Sequence, residues 1–384
     1  MQNTLSVKVN RISSITYFVM VVLFASIKML LGFGLLDFLG DIGKELLGVL
    51  IQVGIMFCLA FGIMTMFIKR KTIETFRFYG FKKISIKGIL IAFAIGIVVY
   101  ILNVFISSFF NSFLESVGYT FHKNNEMQPY PFWMLLVNIF LTAVLPAICE
   151  ETAHRGMLLN GVSATSSRSK AIILSSIMFG LMHCNITQFF YATLIGLLLG
   201  YISSVTENIY PAIIIHFMNN ALSVFMGYSR FHGLGAEYLF TYANGIMTNN
   251  FVLGLLFVII LVILLFFLLK LLVSQLFKNT ILKQLQGLNN RVLVAMEKFD
   301  YMQDLETITK YGETFKPTEM QDFARFKSLF HGYSKQYGFT SEIKSIIGEE
   351  SQTKDKIANA FYITSFAILS ALTIFSFVWN LMGG

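Results

Sequence analysis

Residues 147–156 read AICEETAHRG and follow directly on the apolar run FWMLLVNIFLTAVLP. A charged side chain near the centre of a bilayer costs roughly 2.5–3.5 kcal/mol, so an ionisable residue inside a span is a functional candidate by default. On a helix Glu151 and Arg155 stand at i, i+4 and can pair, which lowers the cost of burying both. Glu150 points about 100° away from Glu151 and is left free of the arginine. His154 stands at i, i+4 from Glu150. Pro146 removes a backbone donor and can open the helix near these groups. The plainer reading is that this is the cytoplasmic end of a span with its charges snorkelling.

Two further stretches weigh against that reading. IMFGLMHCN places His183 in an apolar run with Phe179 one turn before it, and IIIHFMNNALS places His216 and Asn220 on one helix face. A lone histidine on an apolar face is usually a satisfied core residue, and Asn220 taken alone could be interhelical glue. Yet three of the six histidines, His154, His183 and His216, lie in apolar spans alongside the only carboxylate pair in a span. A free glutamate with a histidine partner, Glu150 and His183, can deprotonate a water. His216 and Asn220 can donate hydrogen bonds to a developing oxyanion. Together they suit hydrolysis of an acyl bond. The alternative uses Glu150, His183 and His216 to bind Zn²⁺ and activate the water through it, but no HExxH is present. Cys149 beside Glu150 is better read as a small buried hydrophobe than as a nucleophile, as are Cys58 and Cys184.

These groups must be positioned by membrane helices. Of the 384 residues 55% are apolar and 13% charged, with mean hydropathy +0.68. A soluble domain carries about 25% charged residues. At about 20 apolar residues per crossing, spans are expected at 14–36, 46–68, 86–110, 132–159, 169–184, 187–206, 209–228, 249–274 and 359–380, the fifth being short. The first run is too long for a signal peptide. The basic stretch KRKTIETFRFYGFKK, with Lys8, Arg11, Arg168 and Lys170, places the N-terminus in the cytoplasm. Residues 1–269 carry 16 Lys and Arg against 10 Asp and Glu, and residues 270–384 carry 13 against 11. The excess of positive charge therefore sets orientation in the membrane, and nucleic acid is not an expected partner.

The expected organisation is all-α: a membrane domain over 1–274, a helical cytoplasmic insertion over 275–358 and a final transmembrane helix over 359–384. The insertion has apolar residues at helical spacing (Leu282, Leu285, Leu288, Val292, Val294) between charges. His232 and His331 are expected in solvated loops. With the fourth and fifth spans antiparallel about a turn at 160–169, Glu150 and His183 lie roughly 15 and 21 Å from it at 1.5 Å per residue, so they can meet.

EExxxR at Glu150–Arg155, FxxxH at Phe179–His183 and HxxxN at His216–Asn220, in that order within spans, resemble the CAAX protease and bacteriocin-processing (Abi) family, which includes the type II CAAX prenyl endopeptidases. The resemblance covers roughly residues 85–228. It implies an intramembrane endopeptidase with an eight-helix core, with Glu150 as base, His183 its partner, His216 and Asn220 as oxyanion hole, and Glu151 and Arg155 in support. It also implies no cofactor, with zinc as the alternative. One departure is His154, where the family commonly has an aromatic residue. A composition rich in Lys, Asn, Ile and Phe points to a low-GC bacterium and its cell membrane. The expected substrate is then a membrane-associated peptide or protein, such as a bacteriocin or pheromone precursor or a self-immunity protein. The second reading is a non-catalytic scaffold for a sensor kinase or cell-envelope enzyme. A transporter would explain Lys28 in the first span, but it should show internal repeats, and none is found.

Overall fold

A computed structural model describes residues 2–68, 75, 76, 78–119, 129–236, 251–285 and 355–381. Among them the chain is all helix, with no strand. We label the helices α1 (Gln2–Gly32), α2 (40–68), α3 (Ile86–Ser116), α4 (Phe132–Ser163), α5 (Arg168–Leu181), α6 (Ile186–Thr206), α7 (Tyr210–His232), α8 (Phe251–Leu285) and α9 (Lys356–Leu381). Every expected span is a helix, but among the described residues only seven helices are long and apolar enough to cross a membrane. The two that fall short are α5 and α7, which correct the expected spans at 169–184 and 209–228. With 14 residues α5 reaches about 21 Å, less than the roughly 30 Å of a hydrocarbon core. It starts beside the end of the 32-residue α4 and stops about halfway along it. α7 is long enough, but His216, Asn219 and Asn220 dilute its apolar character.

α8 continues to Leu285, beyond the expected boundary at 274. Most of the expected insertion, His331 included, lies outside the described residues. His232 is not in a loop: it is the last residue of α7, its ring tilted against that of Tyr228 with centroids 4.1 Å apart and hydrogen-bonded to the Tyr130 carbonyl at 3.0 Å. α1 and α9 pack together and run the same way. Arg11 and Asp355 pair at 2.9 Å, and Tyr362 donates to Asn10 at 3.0 Å.

α4 is interrupted twice by wide π turns, at Phe140–Val144 and Thr152–Leu159. Pro146 lies between them. It has no N–H to give the Thr142 carbonyl four residues earlier, and the structure hands that carbonyl to the Asn220 amide at 3.2 Å. α5 and α6 form a hairpin whose turn, His183–Asn185, follows from two local features. Cys184 takes a left-handed backbone at φ 51°, and the Asn185 side chain caps α6 by accepting from the Thr187 and Gln188 amides. Close approach at the centre depends on glycine. A Cβ at Gly196 would stand 3.2 Å from Ser176 and 3.3 Å from the Arg155 guanidinium, so the bare backbone there lets three helices converge.

Candidate active site

The site is built from the middle of α4 outwards. Glu151 and Arg155 have fully buried side chains and pair at 2.8 Å, as their i, i+4 spacing predicts. Two ions this deep must have further partners to offset their desolvation. Arg155 also donates to the Gly196 carbonyl at 3.2 Å, and its guanidinium lies 4.4 Å from the Phe179 ring. The same Glu151 oxygen accepts from His216 Nδ1 at 2.9 Å. Glu151 therefore positions two side chains, one from its own helix and one from α7.

Glu150 faces a different way, into a cavity of about 690 Å³ that is also lined by His183, His216 and Asn220. The expected separation of the two glutamates holds as geometry, but Glu150 is not free. Gln52 from α2 donates its amide to Glu150 Oε1 at 2.8 Å. Sequence reasoning missed Gln52, because a glutamine in an apolar run a hundred positions upstream carries no spacing signal. Its carbonyl oxygen is buried and without a partner.

The histidines divide by what holds them. His183 donates Nδ1–H to the Phe179 carbonyl at 3.0 Å, which leaves Nε2 as a neutral acceptor toward the cavity. No direct hydrogen bond joins it to Glu150; both groups face the same cavity. His216 has Nδ1–H fixed by Glu151, and its Nε2 lies 4.0 Å from Glu150 Oε2. In the neutral tautomer that Nε2 is an acceptor, and it donates only as imidazolium. His154, the departure from the family pattern, does not reach the cavity. Its Nδ1–H donates to the Glu150 carbonyl at 2.9 Å and its Nε2 accepts from the Tyr17 hydroxyl at 3.2 Å, tying α4 to α1. The Phe179 ring meets His154, His183 and His216 edge-on, with centroids 5.2, 5.3 and 5.6 Å away.

Asn220 closes the set. One amide hydrogen goes to the Thr142 carbonyl, its oxygen accepts from Asn219 at 3.1 Å, and Asn103 donates to Asn219 at 3.2 Å. The second hydrogen on the Asn220 nitrogen remains to be used. Cys149 is buried apart from the cavity lining. Lys28 and Glu45 lie on the cavity's edge. A zinc site would need Glu150, His183 and His216 to converge. Among the described residues no three His, Cys, Asp or Glu side chains are arranged to hold a metal ion, so this geometry does not fit the zinc alternative and no step below passes through a metal.

Nothing among curated proteins matches the chain, and no solved structure does. Residues 131–222, which contain all three motifs and leave out α3, match the family described as Type II CAAX prenyl endopeptidase Rce1-like, so the site-bearing part of this chain is similar to that family of proteases.

Proposed function

We propose that the protein is an intramembrane endopeptidase in which Glu150 activates the attacking water. The observation that carries this is the division of labour between adjacent carboxylates: Glu151 is consumed by Arg155 and His216, while Glu150 faces the cavity. A water held between Glu150 and the free Nε2 of His183 gives its proton to the carboxylate as it attacks the scissile carbonyl. The oxyanion so formed accepts from the unused N–H of Asn220 and from His216 Nε2. His216 serves there as imidazolium, with Glu151 on its other nitrogen stabilising the charge. Glu150 then returns the proton to the leaving amine. Gln52 holds the carboxylate in place throughout. Glu151, Arg155, His154 and Phe179 position these groups.

The substrate in this reading is a membrane-associated peptide or protein, and the cavity between α2, α4 and α7 receives it from the bilayer. A bacterial peptide precursor or self-immunity protein suits the composition; a CAAX-type C-terminus suits the family match. The domain reading stays with it: 1–274 as the membrane domain, 275–358 as a cytoplasmic insertion with the N-terminus on the same side, and 359–384 as the last helix.

The test is hydrolysis of a fluorogenic membrane peptide library by the purified, reconstituted chain. Glu150→Ala and His183→Ala should each abolish cleavage while the protein still inserts and unfolds cooperatively, and cleavage by the parent should persist in 1,10-phenanthroline. Full cleavage by both variants would sink the Glu150–His183 mechanism, and no cleavage by the parent would favour a scaffold that regulates a membrane partner.

A further inference from the structure

A second cavity, of about 210 Å³, shares no lining residue with the first. It lies where three connections meet at one end of the bundle: the loop before α3, the α4–α5 turn and the α6–α7 turn. Hydrogen bonds to backbone carbonyls lock that junction. Ile209 donates to the Gly80 carbonyl at 2.9 Å, Asn208 to the Lys82 carbonyl at 3.1 Å and Asn160 to the Phe78 carbonyl at 2.9 Å.

The lining is rich in donors that the protein leaves unused. Arg155 spends Nη1 on Glu151 and Nη2 on Gly196, and its Nε is buried without an acceptor. The hydroxyls of Ser163, Ser203 and Ser204 are also buried and unpartnered, the last two on residues more than nine-tenths buried. Elsewhere among the described residues only the hydroxyls of Thr16 and Thr193 are buried without a partner. Hydroxyls in the chain's helices fold back onto the carbonyl four residues earlier, as Thr152, Ser176 and Thr206 do. Thr206 is on the same helix as Ser203 and Ser204, so the backbone would accept their hydroxyls too.

Charge decides between water and an anion. Water would satisfy hydroxyls equally well. But the cavity is also lined by Lys82 and Arg168. Lys82 is answered by Glu207 at 2.9 Å, and Arg155 by Glu151. Arg168 has no acidic partner among the described residues. An acceptor-only group balances this set, and a tetrahedral oxyanion matches a guanidinium edge flanked by hydroxyls. We propose that this cavity binds a phosphate-class oxyanion, as free phosphate or as the headgroup of an anionic phospholipid. The ligand would touch Arg155 Nε, and Arg155 reaches His216 through Glu151. The cavity is thus joined to the candidate active site by two hydrogen bonds.

The full chain in nanodiscs of phosphatidylcholine alone is titrated with inorganic phosphate, against potassium chloride at matched ionic strength, and thermal unfolding is followed. A second arm replaces part of the lipid by phosphatidylglycerol with no free phosphate. The variants are Ser203→Ala/Ser204→Ala together, and Arg168→Gln at the cavity's edge, which loses no hydrogen bond seen in the structure. A rise in the unfolding midpoint is expected in the parent, with the apparent affinity about tenfold weaker in each variant, the loss of one or two charge-assisted hydrogen bonds. A response to phosphate in phosphatidylcholine assigns the free anion; a response only to phosphatidylglycerol assigns the headgroup. Equal responses in parent and both variants, or none in either arm, would overturn the proposal and leave a cavity filled with water only.

Discussion

Glu150 and Glu151 are neighbours with opposite circumstances, and substitutions should separate them. Removing one member of a fully buried ion pair strands the other. Glu151→Gln and Arg155→Leu are each expected to lose about 3–5 kcal/mol of stability, read as a large fall in the unfolding midpoint in detergent. Glu150→Gln keeps a Gln52 contact and should leave the midpoint near that of the parent while ending cleavage. At this scale the sequence was informative wherever partners share a helix. The Glu151–Arg155 pair needs only a spacing of four. Gln52, Tyr17 and the Gly196 carbonyl come from other helices, and spacing along one helix says nothing about which face a distant helix will present to it. That is why His154 had no explanation until Tyr17 was seen against it.

The elements that carry the site are the irregular ones. The nine expected spans were legible as helices because long apolar runs admit little else in lipid. The shortness of α5 was legible from its bounds, but its π-turned neighbour was not, since Pro146 signals a defect without saying who repairs it. Asn220 does so, by taking the Thr142 carbonyl. Pro146→Ala restores an intrahelical donor for that carbonyl and releases the Asn220 amide from it. The expected result is a gain of about 1 kcal/mol in stability with a loss of kcat, measured by thermal unfolding and by turnover on one substrate. A variant that gains stability and keeps full turnover would show that the Asn220–Thr142 bond does not orient the site.

Across the whole molecule, the apolar surface and the polar interior answer different questions. α8 shows apolar side chains almost all round its membrane window, of which 6% is buried, as expected of a helix that faces lipid. The interior between α2, α3, α4, α6 and α7 is instead lined with side-chain amides: Gln52, Asn103, Asn138, Gln188, Asn219 and Asn220. A peptide bond can be attacked only after its helix is unwound, and in hydrocarbon each backbone group set loose then costs several kcal/mol. Side-chain amides carry the same donor and acceptor as the backbone they would meet. Asn103→Leu should therefore lower kcat/KM about tenfold, the cost of one such hydrogen bond, on a substrate that enters as a helix. The same variant should spare a short peptide that is already extended, and equal losses on both would refute the idea. In the proposed protease the row of amides would let the cavity act as a local solvent for melted backbone, so that the bilayer keeps passing helices shut and the protein alone makes them soluble enough to cut.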